Sequence, residues 1–348
     1  MREIVKKLYL NQDLSDEEFL TLLKSDEDIE ILNLYARKRA EENYGKSVFL
    51  RGLIEISNIC TQDCFYCGIR HSNKKIKRYD LNEEDIIKSC RTGYDIGFRT
   101  FVLQGGEDEY FTDEKLSYII KSIKKFCTGA AVTLSLGIRN FESYKKLKSF
   151  GADRYLLRHE TADEEIFSKL HPKNQSFAKR KQALYELKSL GFQAGAGMMI
   201  GAPFVSFNTY LKDIRFMQSL NPAMIGIGPF IPAKGTPFEN MPCGSAYETL
   251  KMISILRLIF PQALIPSTTA LNTLEKDGWS KGILAGANVI MPNLSPDYAR
   301  KNYTLYDHKK IHGLEAAENV KAISTAMEKI GYKVDMARGD VRWRKNVL

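Results

Sequence analysis

TFVLQGGEDEYFTDEKLSYIIKSIKKFCTGAAVTLSL, residues 100–136, carries a strand, a helix and a second strand in one stretch. Thr100 to Gln104 reads as β, Asp113 to Phe126 has apolar residues at helical spacing, and Ala131 to Leu136 returns to β. A strand, a crossover helix and a strand in that order make a parallel pair. The unit repeats outward in both directions. Further strands are predicted at Val48 to Ser57, Arg154 to Arg158, Gln193 to Ile200, Met224 to Phe230, Leu264 to Thr268 and Asn288 to Met291. Between them lie helical patterns at Asn82 to Ile96, Asp163 to Lys169 with Phe177 to Leu190, Thr209 to Leu220, and Ala246 to Ile259. Asn82 ahead of three acids, and Thr161 with Glu164 three later, read as helix starts. Eight strand-then-helix units predict an α/β chain of the closed (β/α)8 kind rather than an open sheet.

Around this core the reading is simpler. Residues 1–45 form a helical extension with a capping box at Ser15 to Glu18, residues 46–295 the barrel, and 296–348 a C-terminal extension packed on it. At 348 residues, 44% hydrophobic and 27% charged, the chain can bury a large core, which excludes disorder and fibre. No apolar run approaches the ~20 residues of a bilayer span, and the N-terminus turns acidic before a signal-peptide core could form, so a cytoplasmic protein is expected. The net charge of +9 is spread over helices and interleaved with acids. The run Lys74 to Arg78 and the tail Arg342 to Lys345 therefore read as solvated or anion-gripping segments, not as a nucleic-acid site.

Six cysteines are too few for a disulfide scaffold. Cys90, Cys127 and Cys243 are scattered and read as packing or incidental, whereas Cys60, Cys64 and Cys67 share the loop after strand one, where a barrel keeps its chemistry. CxxxCxxC spacing lets three thiolates hold three irons of a cubane cluster and leaves the fourth iron open. Structural zinc is the plainer alternative, but it wants four closed ligands and only His71 stands near. Other strand ends add polar groups. Gly105 and Gly106 allow close backbone approach. Thr133 and Ser135 share one face of strand three, and Arg154, Leu156, Arg158 and Glu160 share one face of strand four, where inward charges need partners or an ionic ligand. His159 points the opposite way and reads as structural. The later strand ends are small, thioether or hydroxyl-bearing, and a lone methionine such as Met224 or Met291 reads first as barrel filler.

The cysteine loop, with Tyr66 just before its last cysteine, resembles the radical S-adenosylmethionine (SAM) superfamily, in its biotin synthase-like branch. That resemblance implies a 4Fe-4S cluster on Cys60, Cys64 and Cys67, with SAM chelated by the open iron and cleaved by one electron to a 5′-deoxyadenosyl radical. It implies cofactor contacts from Tyr66, Gln104, Gly105, Gly106, Glu107, Ser135, Arg158, Glu160 and Arg180. Seven islands are similar to FeFe-hydrogenase maturases of the HydE family: VLQGGED (102–108), TLSLG (133–137), DRYLLRHET (153–161), MIGIGPFIP (224–232), TTA (268–270), GANVIMPN (286–293) and YTLYDHK (303–309). They imply an iron-bound cysteine carbonyl/cyanide substrate, a cavity of Thr133, Arg154, Met224, Thr268, Thr269, Met291, Tyr303 and Tyr306, transient contact with the maturases HydG and HydF, and a ferredoxin or flavodoxin as reductant. No nucleic acid or membrane partner is implied. Two alternatives stay open: a methylornithine synthase-like mutase, for which Gln193, Ser267 and Asn272 would be the polar anchors, and a non-catalytic iron-sulfur carrier. Residues 307–320 lack the three further cysteines that many relatives use for a second cluster. Anaerobically reconstituted protein is therefore expected to hold about four irons per chain; about eight would refute the single-cluster reading.

Overall fold

Three helices, Arg2–Asn11, Asp16–Lys24 and Ile29–Tyr44, precede the first strand in the computed structural model, which describes residues 1–309 and 316–342. Residues 310–315 of the cysteine-free stretch, and Trp343 to Lys345 of the basic tail, lie outside the described residues. The capping box forms: Ser15 Oγ accepts from the Glu18 amide at 3.2 Å, and the Glu18 carboxylate accepts from the Ser15 amide at 3.0 Å. Among the described residues no helix is long and apolar enough to cross a membrane.

The barrel strands are Ser47–Leu50 continued by Gly52–Ser57, then Thr100–Gly105, Ala131–Ser135, Arg154–Leu156, Gln193–Ala196, Met224–Ile225 and Val289–Ile290, with a seventh position held by bridges alone. All neighbours are parallel. Register runs level from Leu53 through Val102, Thr133 and Arg154 to Gln193; then Gly195 meets Met224, Met224 meets Leu264, Pro266 meets Val289, and Val289 meets Phe49. Steps of two residues on strands five and seven, with four more from Phe49 to Leu53, give a stagger of eight, the shear of an eight-stranded (β/α)8 barrel.

Several expected strands are shorter than their β-like sequences. Strand seven, expected from Leu264 to Thr268, makes only the bridges at Leu264 and Pro266, because Pro266 has no N–H to give the ladder. Strands five and six each break after their first segment and pair again higher up, Met199–Ile200 against Gly228–Pro229. Crossover helices start where short polar side chains cap them: Asn82, Thr112, Asn140, Ser176, Ser206 and Ser245 each accept from an amide three residues on. The helix after strand four begins at Glu164 with Asp163 as its cap, not Thr161, because the Asp163 carboxylate reaches two of the free amides. The strand Lys333–Asp335 lies against Ser47–Leu50 on the edge away from Val289, and residues 338–341 then cross the floor of the barrel.

That floor takes Arg154. Its fully buried guanidinium donates to the Asp340 carboxylate at 2.6 Å, the Arg338 carbonyl at 2.8 Å, Thr100 Oγ1 at 3.1 Å and Gln193 Oε1 at 3.3 Å. Burial opposes ionisation of Asp340, but Arg338, Gln193 and Arg154 outweigh it and hold the carboxyl below its usual range. Asp340→Ala is expected to cost about 1–2 kcal/mol, less than a wholly buried pair because Asp340 is partly exposed. Since the native carboxyl titrates below the unfolded value near 3.9, that contribution is whole above about pH 4 and shrinks progressively as pH falls from there toward the native value. Urea unfolding of both proteins from pH 3 to 7 reads the gap; a gap that does not narrow on acidification would contradict the pairing.

Candidate active site

The loop after strand one is irregular backbone at the barrel mouth, and its carbonyls need donors. Arg78 supplies them, donating to the carbonyls of Asn58, Ile69, Arg70 and Asn73. Asn58 adds the carbonyls of Lys77 at 2.8 Å and Asn302 at 2.7 Å, while its own oxygen accepts from the Tyr79 amide. Arg70 grips Asp63 through Nε at 2.7 Å and Nη2 at 2.5 Å. Burial opposes the Asp63 charge, yet the bonds from Arg70 and Ser72 bring its carboxyl down to about 2. The basic run Lys74 to Arg78 is therefore split: Lys74, Lys75 and Lys77 are exposed, and Arg78 is the internal scaffold of the loop. A solvated face describes the lysines only.

Held this way, Cys60, Cys64 and Cys67 are half-buried, with Cys64 close enough to act on Cys60 and both of them close enough to act on Cys67. Burial pushes Cys60 up to about 11 and raises Cys64 and Cys67 as well. Among the described residues no three His, Cys, Asp or Glu side chains converge on a point that could hold one metal ion. A cubane asks for something else, one thiolate at each of three irons.

Strand two brings its glycines against this loop. A Cβ on Gly106 would meet the Ile59 carbonyl oxygen at 2.0 Å and Cys60 Cβ at 2.7 Å, so only glycine leaves the cysteine in place. The Glu107 carboxylate accepts from Gln62 Nε2 at 2.8 Å and from the Ile138 amide at 3.0 Å, tying the loop to the end of strand three. Gln104 and Ser135 are register partners facing the lumen, and Gln104 Nε2 donates to the Tyr303 hydroxyl at 3.2 Å.

Strand four closes the opposite side. Arg158 Nε donates to Glu160 Oε1 at 3.0 Å, and Arg180 Nη1 donates to the Arg158 carbonyl at 3.0 Å. Glu160 stands at φ 66, a left-handed backbone that a non-glycine residue holds only under local constraint. Its Oε2 and Arg180 Nε are buried with no hydrogen-bond partner. Unpaired polar atoms of both charges, beside Tyr66 and Cys64, are what a zwitterionic ligand with ribose hydroxyls would satisfy. The residues present thus suit both a cubane and SAM.

Below the mouth the lumen narrows into two small enclosed spaces that share Met291. One is lined by Glu55, Thr269, Asn293 and Lys309, the other by Arg51, Thr133, Leu156 and Met224. Thr133 Oγ1 is buried without a partner. Thr268 caps the helix Thr269–Leu274. Tyr303 is buried against Gln104, and Tyr306 lies beside Thr273. Arg154 is not with them: its donors are taken up on the floor, because the register that aims it inward also sets it one level above residues 338–340. Arg51 stands in the lower lumen instead, with Nη1 3.2 Å from Met224 Sδ and Nε unpaired. His159 is buried, accepting from the Gly197 amide with Nε2 3.3 Å from Asp213, as a structural histidine should be.

Sequence reasoning missed Arg51, Arg78, the Glu55–Lys309 ion pair, and the contacts of His171 and Gln175 with the loop. Arg51 and Glu55 had a usable sign, since they are the two charges in an otherwise largely apolar strand.

Two alignments with known families now meet this geometry. Residues 54–217 match the radical SAM superfamily and residues 218–333 the biotin and thiamin synthesis associated domain, a division that falls inside the barrel just before strand six. The chain belongs to the radical SAM superfamily, in its biotin synthase-like branch, and is an enzyme of that class. It is 44% identical over 265 residues to the [FeFe] hydrogenase maturase subunit HydE of Thermotoga maritima, covering 76% of this chain and 75% of the relative. It is 31% identical over 321 residues to 3-methylornithine synthase of Methanosarcina acetivorans, covering 91% and 89%. A crystal structure of methylornithine synthase superposes with a TM-score of 0.83 at 30% identity over 95% of this chain and 97% of that one.

Arg78→Met removes a donor from four loop carbonyls at once, and only that of Arg70 keeps another, the Asn73 amide at 3.1 Å. It is expected to cost at least about 2 kcal/mol and to lower iron loading. Equal iron content and equal denaturation midpoints would show that the loop holds itself.

Proposed function

We propose that this chain is a maturase of the HydE type, acting in assembly of the two-iron subsite of FeFe-hydrogenase on an iron-bound cysteine carbonyl/cyanide species. The observation that carries this reading is the 44% identity to HydE. A 4Fe-4S cluster on Cys60, Cys64 and Cys67, with SAM on its open iron, would supply a 5′-deoxyadenosyl radical.

The chain's own residues do the rest. Gly105 and Gly106 expose backbone to the amino group of SAM, with Gln104 and Glu107 framing it. Arg158 and Arg180 hold its carboxylate, Glu160 takes the ribose hydroxyls through its unpaired oxygen, and Ser135 and Tyr66 wall the pocket. Thr133, Thr268, Thr269, Met224, Met291, Tyr303 and Tyr306 shape a narrow lumen that excludes water from a reactive species. Arg51 takes the anion-facing role in place of Arg154. HydG and HydF are the proposed partners, a ferredoxin or flavodoxin the electron source, and the cytoplasm the location. The division into residues 1–45, 46–295 and 296–348 is part of the same proposal.

The second reading, a methylornithine synthase-like mutase, is favoured by the near-complete overlap with that structure. Against it stand the polar groups such a reaction would use. Gln193 is held by Arg154 and Asp340, Ser267 Oγ donates to the Gly278 carbonyl at 3.2 Å, and Asn272 Oδ1 accepts from the Trp279 amide.

Dithionite-reduced protein is incubated with SAM and the iron-cysteine complex and, separately, with lysine. The complex is expected to raise 5′-deoxyadenosine formation at least about tenfold over lysine, a transition-state difference of about 1.4 kcal/mol; the reverse order would overturn the maturase reading. Cys64→Ala should abolish cleavage. Glu160→Ala should weaken SAM binding about tenfold with iron content unchanged; unaltered affinity would remove that residue from the pocket.

A further inference from the structure

Two of the loop sulfurs, those of Cys60 and Cys64, receive hydrogen bonds of different kinds. Cys60 Sγ accepts from the backbone amides of Glu107 at 3.3 Å and Gln62 at 3.4 Å. At Cys64 an amide side chain does this work: Gln175 Nε2 lies 3.2 Å from Sγ, with Oε1 farther off at 3.7 Å. Once the sulfur is a thiolate it has no proton to offer Oε1, so only the N–H donation to sulfur remains.

Gln175 comes from the link 171–176 between the helices Glu164–Leu170 and Phe177–Ser189, two short helices where most crossovers here have one. The link is fixed along its length. His171 stacks on Phe167 with ring centroids 3.9 Å apart, and its Nδ1 donates to the Phe167 carbonyl at 3.0 Å. Nε2 therefore accepts from the Tyr66 hydroxyl, 3.1 Å away. Burial, followed by the Arg180 charge, brings His171 down to about 3, so it stays neutral and this arrangement does not switch near neutral pH. The Gln175 amide donates to the Pro172 carbonyl at 3.0 Å, Ser176 caps the next helix, and the Phe65 amide donates to the Leu170 carbonyl at 3.0 Å. The arm is held to the cysteine loop at three successive residues, Cys64, Phe65 and Tyr66.

We propose that Gln175 is a positioning residue for the cluster, donating its side-chain N–H to the Cys64 sulfur and thereby setting the cluster's reduction potential higher than it would otherwise be. The proposal rests on the radical SAM reading of the loop. The reduced cluster carries one more negative charge, and a donor aimed at a ligand sulfur stabilises that state more than the oxidised one. A neutral amide does this without adding net charge beside Arg158, Glu160 and Arg180, whose balance the pocket needs for a zwitterion. It is also adjustable: the bonds to Cys60 come from backbone and survive substitution, whereas this one is chosen by a side chain.

The test is a redox titration of the reconstituted full chain without SAM, monitored by electron paramagnetic resonance of the reduced cluster. Q175L removes the donor at similar volume, and Q175E replaces it with a carboxylate. The reduced-to-oxidised ratio at a fixed solution potential is expected to fall about tenfold in Q175L, which is about 59 mV for a one-electron couple, and further in Q175E. The potential belongs to each loaded cluster, so a lower iron content leaves the measurement intact. Variants that titrate together with the unaltered protein would overturn the role of Gln175. Absence of a 4Fe-4S signal in the unaltered protein would instead sink the radical SAM reading itself, and the two failures are distinguishable.

Discussion

Everything at the barrel mouth depends on one constraint: a loop with no regular hydrogen bonding must be partly buried and still keep three sulfurs in place. Buried carbonyls without donors are costly, and no helix or strand is present to supply them. Arg78 resolves this by serving four carbonyls from one guanidinium, and Asn58 and the Asp63–Arg70 pair fix the remaining turns. The planar, multi-donor geometry of arginine is the reason a lysine would not serve. Because the loop is rigid, neighbouring elements can be built against it at close range. Gly106 lies too near Ile59 to carry a side chain, and Glu107 joins the loop to strand three.

The two ends of the barrel use arginine in opposite ways. Arg154 on the floor is saturated by Thr100, Gln193 and the crossing residues 338–340, so it contributes to stability and closes the barrel. Arg180 at the mouth keeps a spare buried donor, and Glu160 keeps a spare acceptor in a constrained backbone. Unpaired buried groups raise the energy of the ligand-free site and favour whatever ligand completes them. Between the two ends the lumen is narrow and lined by thioethers and hydroxyls, with the Glu55–Lys309 pair neutral as a unit.

The doubled helical crossover after strand four has a role that its sequence pattern does not announce. Two short helices and a fixed link bring His171 and Gln175 over the cysteine loop more than a hundred residues away in the chain. This is the outer layer of the site, and it determines the surroundings of Cys64 and Tyr66 without contributing a ligand.

The amino-acid sequence alone determined the repeating β/α order, the spacing of Cys60, Cys64 and Cys67, the glycine pair after strand two, and the inward aim of Arg154. These are properties of local periodicity and of residues a few positions apart, where backbone geometry leaves little choice. Arg158 and Glu160, expected on the same face, lie beyond the strand's end at Leu156, with Glu160 at φ 66. The sequence could not separate Arg154 from Arg158, since alternation gives a face but not a height, and only the strap at 338–340 shows which of them is consumed. Nor could it find Arg78 inside a run of lysines, Arg51 beneath Met224, or Gln175 beside Cys64. Each of those roles is a contact between segments far apart in the chain, set by barrel closure and by which buried groups lack a donor, and that is decided only when the strands have met.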